Sequence, residues 1–234
     1  MPRRERPAQT TRSEHWLRVA VNEATDDLNA QLIQAFGWSP VETIRWLSPL
    51  RDDDFAEYYD QAFLDRVGLF DLAVPLAEFW PNGGPRWDGL ARTEGGKVIL
   101  VEAKAYIEEM VDYESNAGPK SRARILDSLS KAKYASGAAE KARWDAPFYQ
   151  MGNRLAHLHF LLNLNQIAAY LAFLAFADAP DVPQPCTVEQ WEGAHRLSRK
   201  CLGLGAHPFQ GRVANIIWSV RDLLANKALR RAPM

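Results

Sequence analysis

The feature that most constrains this chain is a run of nine residues, Lys97-Val-Ile-Leu-Val-Glu-Ala-Lys-Ala105, whose apolar middle ends in two charges. An apolar run of this length is typical of a central strand that is covered on both faces of its sheet. Side chains alternate along a strand, so Glu102 and Lys104 share one face. Burying two charges is costly unless each has a partner, so the pair is predicted to be either structural or functional.

A third charge, Asp88, precedes this run in the neighbouring strand of a predicted hairpin. If Glu94-Gly-Gly96 is a three-residue loop with one glycine in the left-handed conformation, Thr93 pairs with Lys97, and Asp88 then lies opposite Glu102. Opposed residues have Cβ atoms roughly 4.5–5.5 Å apart, close enough for two carboxylates to share a cation. A two-residue turn would direct Asp88 to the other face, so this prediction requires the odd loop or a bulge.

Hydrophobic periodicity predicts an α/β order for the rest of the chain. Predicted helices start at Ser13 and Thr25 and cover Asp52–Val67, Lys120–Arg143, Pro147–Leu162 and Thr187–Leu202. Predicted strands cover Thr43–Leu50, Leu72–Phe79, Arg86–Thr93, Lys97–Ala105, Ile167–Phe176 and Arg212–Val220. The three consecutive strands between 72 and 105 predict an antiparallel meander.

The 234 residues suffice for one elaborated domain. We expect a flexible tail over 1–12 and a single domain over 13–225. Its core is predicted at about 72–177, with a helical N-terminal elaboration over 13–70 and a helix-strand extension over 187–225.

Composition excludes several classes of protein. Two cysteines are too few for a disulfide framework, and the N-terminal residues lack the apolar stretch of a secretory signal, so a cytoplasmic location is expected. The most apolar stretch, 155–177, contains polar residues that exclude a membrane span. The net charge of -1 hides an uneven distribution, since 51–80 is acidic and 115–154 is basic.

Asp88, followed by Glu102-Ala103-Lys104 at the end of the next apolar strand, resembles the PD-(D/E)XK superfamily, which includes restriction endonucleases, Holliday-junction resolvases and RecB-type exonucleases. The resemblance implies a restriction-endonuclease-like α/β fold of three layers, in which helices flank a mixed central sheet built from an antiparallel meander plus a further strand. It also implies a nuclease that depends on Mg²⁺, with Mn²⁺ able to substitute. DNA is favoured over RNA as the partner, and a homodimer is left open. One departure is visible, since Trp87 stands where the motif has a proline.

The resemblance also assigns roles to residues. Asp88 and Glu102 are implied to be metal ligands, and Lys104 is implied to position or activate the attacking water. A glutamate on the first helix often lies near the metal in this family, and Glu14 occupies that place, with Glu57 as the competing candidate. RecB-type relatives carry a glutamine on the helix after the motif, and this sequence offers Gln150, Asn153 and Arg154 on one helical face.

Three functions follow from these residues. The leading one is a metal-dependent nuclease in which the basic segment Lys120 to Arg154 tracks phosphates. The second is a fold of the same kind that binds nucleic acid or supports assembly without significant catalysis. In the third, Glu102 and Lys104 form a structural ion pair in an unrelated α/β protein, which predicts that no third carboxylate is near.

Overall fold

The computed structural model describes residues 3–4, 10–112, 115–205 and 208–231, and a five-stranded mixed sheet lies at its centre. The chain contributes seven strands in all within these ranges: β1 (Arg3–Arg4), β2 (Ile44–Ser48), β3 (Glu57–Tyr58), β4 (Gly89–Thr93), β5 (Val98–Lys104), β6 (Ala169–Ala177) and β7 (Val213–Ser219). The sheet has the order β2-β4-β5-β6-β7, while β1 and β3 form a separate pair. β2, β4 and β5 are antiparallel, and β5, β6 and β7 are parallel.

Helices cover both faces of this sheet. They are α1 (Arg12–Glu23), α2 (Thr25–Phe36), α3 (Asp60–Arg66), α4 (Ala73–Phe79), α5 (Pro119–Ala135), α6 (Tyr149–His159), α7 (Val188–Cys201) and α8 (Val220–Arg231). One hydrophobic core lies beneath α1 and α2, and the other lies beneath α5, α6 and α7. The predicted α/β architecture, a mixed sheet flanked by helices, is confirmed. In the described ranges we find no helix with the length and apolar character needed to cross a bilayer.

The predicted hairpin register is also confirmed. The Thr93 N–H donates to the carbonyl of Lys97 at 2.9 Å, and Arg92 pairs with Val98. The loop between Thr93 and Lys97 has three residues. Its last glycine, Gly96, has a φ of 85°, in the left-handed region that suits glycine. β5 therefore keeps Glu102 on the same face as Val98 and Leu100, towards α6.

The predicted strand Leu72–Phe79 is wrong, because this segment is a 3₁₀ turn followed by α4. Pro75 falls in the first turn of α4, where backbone N–H groups have no partner within the helix, so its missing N–H costs little there. Leu76 and Phe79, three residues apart, are buried, whereas Val74 is exposed. The meander is instead completed by β2, so the sheet spans residues from 44 to 219, beyond the predicted core at 72–177.

The predicted helix Asp52–Val67 is correct only in its second half, which forms α3. Positive φ values at Asp54 and Phe55 interrupt any helix there, and β3 follows. The elaboration over 13–70 is thus not purely helical. Part of the predicted tail pairs with β3 as β1, and residues 1–2 and 5–9 lie outside the described residues.

Two smaller differences concern helix ends. α5 stops at Ala135 rather than Arg143, and Gly137 follows with a φ of 67°. α8 has no counterpart among the predicted helices.

Candidate functional site

The candidate site lies where β4 and β5 separate. Their ladder ends at the pair Gly89 and Val101. Beyond it, the Asp88 side chain takes the place of a strand partner, since its Oδ2 accepts the Ala103 N–H at 2.8 Å. The Asp88 carboxylate is thereby fixed at the edge of β5, next to Glu102.

Glu102 and Lys104 both face α6. The Lys104 Nζ donates to Glu102 Oε1 at 2.6 Å and to Gln150 Oε1 at 2.8 Å. Gln150 is in the first turn of α6, so the helix reaches across to the end of β5 and orients the lysine.

Arg154, one turn further along α6, binds the other oxygen of Glu102. Its Nε and Nη2 lie 2.7 and 2.6 Å from Glu102 Oε2, and Nη2 also donates to the carbonyl of Arg86 at 3.0 Å. The guanidinium lies over the Trp87 ring, 5.2 Å from its centroid. Glu102 and Arg154 are 2% and 7% exposed, so this is a buried ion pair with several hydrogen bonds.

The Asp88 carboxyl group has a strongly raised pKa. Burial, and then the negative charge of Glu102, raise the pKa of Asp88 to about 8, and the charge of Glu57 acts in the same direction. Glu57 belongs to β3, whose neighbour Tyr58 bridges to Trp87, and it is itself buried. Three carboxylates therefore act on one another at the point where β4 leaves the sheet.

The pKa shifts of Glu102 and Lys104 both favour the charged form, whereas the shift of Asp88 favours the neutral form. Burial acts to raise the pKa of Glu102, but Arg154 and Lys104 hold it below its ordinary value. Burial likewise acts to lower the pKa of Lys104, yet Glu102 and Asp88 keep it above its ordinary value. The site thus holds an ionised glutamate and a charged lysine beside an aspartate that readily takes up a proton.

Asp112 anchors the helix that supplies these contacts. Both of its oxygens accept the Gln150 N–H, at 2.9 and 3.0 Å, which places a carboxylate at the positive end of α6. Burial raises the pKa of Asp112 to about 6. The side chain positions Gln150 and, through the helix, Arg154.

The remaining predicted site residues have other contacts. Glu14 binds Arg18, one turn along α1, at 2.5 Å, whereas the carboxylates that act most on Asp88 are Glu102 and Glu57. The structure therefore brings Glu57, the competing candidate, to the cluster. Asn153 is buried, and its Oδ1 lies 3.5 Å from Arg154 Nη1.

Many basic side chains of the segment Lys120 to Arg154 bind other groups of the same chain. Arg154 binds Glu102, while Arg124 and Lys133 donate to backbone carbonyls. Lys131 pairs with Asp127, and Arg143 pairs with Asp145. Fewer basic side chains of this segment therefore remain to contact phosphates. Arg154 belongs to the candidate site itself.

Sequence reasoning missed two residues of α7 that line a pocket adjoining the site. Trp191 and His195 face the same space as Glu102, Lys104 and Gln150. No signal near Lys104 pointed to them, because they follow it by 87 and 91 residues. Their four-residue spacing on a helix shows only that they share a face.

The donor set suits a small hard cation. Mg²⁺ is commonly held by one or two carboxylates, with waters and substrate phosphates completing its shell, and Asp88 and Glu102 supply two. Within the described ranges, no group of three or more His, Cys, Asp or Glu is arranged to hold a metal ion. Burial, and then the negative charges of Glu102 and Glu57, raise the pKa of Asp88, and a divalent cation would offset the repulsion between these charges.

The same geometry disagrees with an isolated structural ion pair, which required that no further carboxylate be near Glu102 and Lys104. The charge of Asp88 raises the pKa of Lys104, and the charge of Glu57 in turn raises the pKa of Asp88. Comparison with models of known protein families finds no match, and neither curated proteins nor solved structures provide one.

Proposed function

We propose that this protein is a metal-dependent nuclease of the PD-(D/E)XK kind that hydrolyses phosphodiester bonds in nucleic acid, with DNA favoured over RNA. The observation that carries the proposal is the meeting of Asp88, Glu102 and Lys104 at one end of β5. There a carboxylate of raised pKa lies beside an ionised glutamate and a lysine fixed by two acceptors. Perturbed carboxylates near a positioned cation are typical of catalytic sites.

In this mechanism Asp88 and Glu102 would hold Mg²⁺, which would lower the pKa of the attacking water and supply positive charge near the phosphate. Lys104 donates a hydrogen bond to the attacking water or to the phosphate oxygen on which charge develops. Gln150 keeps the Lys104 ammonium in place by accepting one of its protons. Arg154 fixes the Glu102 carboxylate from the opposite side, so that its geometry is set before a substrate binds.

A second function has a specific observation in its favour. Both oxygens of Glu102 already accept hydrogen bonds from charged side chains, one from Lys104 and the other from Arg154. A carboxylate so engaged offers less to a metal, which supports a nucleic-acid-binding or assembly module that does not cleave.

One experiment separates the two functions. The protein is incubated with plasmid, linear duplex, single-stranded DNA and RNA, each in Mg²⁺, in Mn²⁺ and in EDTA. A nuclease cleaves at least one substrate in Mg²⁺ or Mn²⁺ and none in EDTA, whereas a module retards nucleic acid on a gel without cleaving it.

Matched variants exclude a contaminating nuclease. Asp88→Asn should abolish cleavage, whereas Asp127→Asn, which changes an exposed carboxylate on α5, should retain it. Cleavage that survives in Asp88→Asn, or folded wild-type protein that cleaves none of the four substrates, contradicts the proposed function.

A further inference from the structure

An open groove of about 620 Å³ lies beside the candidate site, between the start of α3, the helix α4 and the loop that leads into β4. Its lining includes the aromatic residues Tyr59 and Trp80, the cation Arg86, and the amides of Gln61 and Asn82. Sites for small ligands usually have a volume of about 300–1,000 Å³. The groove therefore has room for a nucleobase with its sugar.

The end of β3 connects this groove to the carboxylates of the candidate site. Glu57 and Tyr59 are two residues apart in extended backbone and share one face of the strand. The charge of Glu57 acts on Asp88, whereas the Tyr59 ring carries the Arg86 guanidinium, 5.3 Å from the ring centroid. Two residues of a strand span roughly 6–7 Å. Neighbouring phosphates of a nucleic-acid strand are separated by a similar distance.

Arg86 is available to bind an anion. Its side chain is exposed, and in the ranges that the structure describes no carboxylate forms an ion pair with it. Asp60 also lines the groove, but its two oxygens already accept the N–H groups of Gly83 and Gly84, at 2.9 and 2.8 Å. An arginine that is oriented on an aromatic ring can bind a phosphate through two parallel hydrogen bonds.

The other groups of the groove suit an unpaired nucleobase. Gln61 and Asn82 are exposed, and across the described portion of the chain no hydrogen bond engages either amide. An amide has both donors and an acceptor, which match the edges of bases. Aromatic faces such as Tyr59 stack on bases of any sequence. In a duplex the base faces are already stacked and the pairing edges are occupied, so only an unpaired base can enter this groove.

We propose that this groove is a substrate subsite for one unpaired nucleotide next to the phosphate that is cleaved. Arg86 binds the phosphate of this nucleotide, and the base packs against the wall that contains Tyr59 and Trp80. The inference deepens the proposed function, on which it rests, because it names the substrate class as single-stranded nucleic acid or a frayed end.

The first test measures binding by fluorescence anisotropy in EDTA, where the proposed nuclease cannot cleave. The probes are a single-stranded DNA oligonucleotide and a blunt duplex of the same sequence. Tyr59→Leu keeps an apolar side chain and should raise the Kd for the single strand at least about fivefold, the lower end of the range for losing one base–aromatic stack. Its Kd for the duplex should be nearly unchanged. Tyr59→Phe retains the ring and should bind as wild type does.

The second test examines the phosphate contact through its salt dependence. Arg86→Ala should make the slope of log K against log salt shallower by about 0.7, the value for one phosphate contact to a single strand. The control is Arg45→Ala on β2, an exposed arginine that lies opposite Arg92, near the hairpin loop and at the other end of β4 from Asp88. This control should keep the wild-type Kd and slope.

The outcomes separate the subsite from the nuclease. Wild-type binding of the single strand by either Tyr59→Leu or Arg86→Ala overturns the subsite even if the protein cleaves DNA. An equal loss of duplex binding in Tyr59→Leu, or a wild-type protein that does not bind the single strand, also overturns it. Binding that depends on both side chains, in a protein that cleaves nothing, supports the subsite and contradicts only the nuclease. Melting temperatures show that each variant is folded.

Discussion

At the scale of single residues, the two charges on β5 have different surroundings, and this separates their expected roles. Glu102 is 2% exposed and is held at one oxygen by Lys104 and at the other by Arg154. Removing Lys104 therefore leaves Glu102 paired with the Arg154 guanidinium. The lysine is the member of the pair that the structure can lose without stranding a buried charge.

Lys104→Ala should accordingly slow cleavage by roughly 10²-fold, the scale of losing one preorganised electrostatic contact. Its loss of stability should stay below the roughly 3–5 kcal/mol expected when a buried pair is broken completely, because Arg154 remains. Cleavage rates and chemical denaturation test both points. The control is Lys97→Ala at the other end of the same run, where the lysine binds Glu42. Full activity in Lys104→Ala would show that the lysine is structural.

Asp88 predicts an unusual pH dependence of stability in EDTA. Its pKa rises from an ordinary 3.8 to about 8 on folding, so the native state holds a proton that the unfolded chain has lost. Between these values stability must fall as pH rises. The raised pKa of Asp112, about 6, adds to this fall at lower pH. Buried histidines of lowered pKa act oppositely, but only below about pH 6.5.

The change in stability between pH 6.5 and 8 therefore reports mainly the titration of Asp88. Melting temperatures of wild type should decrease across this window, and Asp88→Asn should remove most of the slope. Asp112→Asn, which changes the neighbouring carboxylate, should leave it in place. A wild-type profile that rises or is flat from pH 6.5 to 8 would contradict the raised pKa of Asp88.

At the scale of elements, α6 decides whether the site forms, since it carries both Gln150 and Arg154. Its close packing depends on Gly152, where an added Cβ would lie 2.4 Å from the carbonyl oxygen of Trp144. Trp144 cannot move easily, because its indole N–H donates to the carbonyl of Leu202 at 2.8 Å. The helix can approach this loop only without a side chain at 152.

Gly152→Ala should therefore destabilise the protein by about 1–3 kcal/mol, the usual cost of overpacking, and should lower activity by displacing α6. Gly193→Ala on α7 is the matched control, because nothing lies within 4 Å of its added Cβ. There alanine should stabilise by about 0.5–1 kcal/mol through its better helix propensity. Urea denaturation of both variants tests the contrast, and equal effects would contradict it.

At the scale of the whole molecule, a divalent cation should stabilise the fold, because it relieves repulsion among carboxylates that only the native state assembles. At Mn²⁺ tenfold above its Kd we expect about 1.4 kcal/mol, or a rise in Tm of roughly 3–6 °C. Asp88→Asn should show little rise, whereas Asp127→Asn should behave as wild type. No shift in wild type at millimolar Mn²⁺ would favour the non-cleaving module.

Local sequence patterns determined the part of the site that lies within one hairpin. The apolar run places Glu102 and Lys104 on one face, and the loop Glu94-Gly-Gly96 sets the register that brings Asp88 to them. Both signals are local, because strand alternation and turn geometry depend on neighbouring residues. The same local reasoning failed at Leu72–Phe79, where a short apolar run fits a strand or a helix and packing selects the helix.

Only the tertiary structure decided which distant groups complete the site. Arg154 reaches Glu102 from 52 positions away, Glu57 arrives through a two-residue strand, and His195 comes from α7. Each lies in an element with its own local pattern, and nothing in that pattern specifies the partner. The pairing depends on how separately encoded helices and strands pack, because a buried charge is tolerated only where packing supplies its counter-charge.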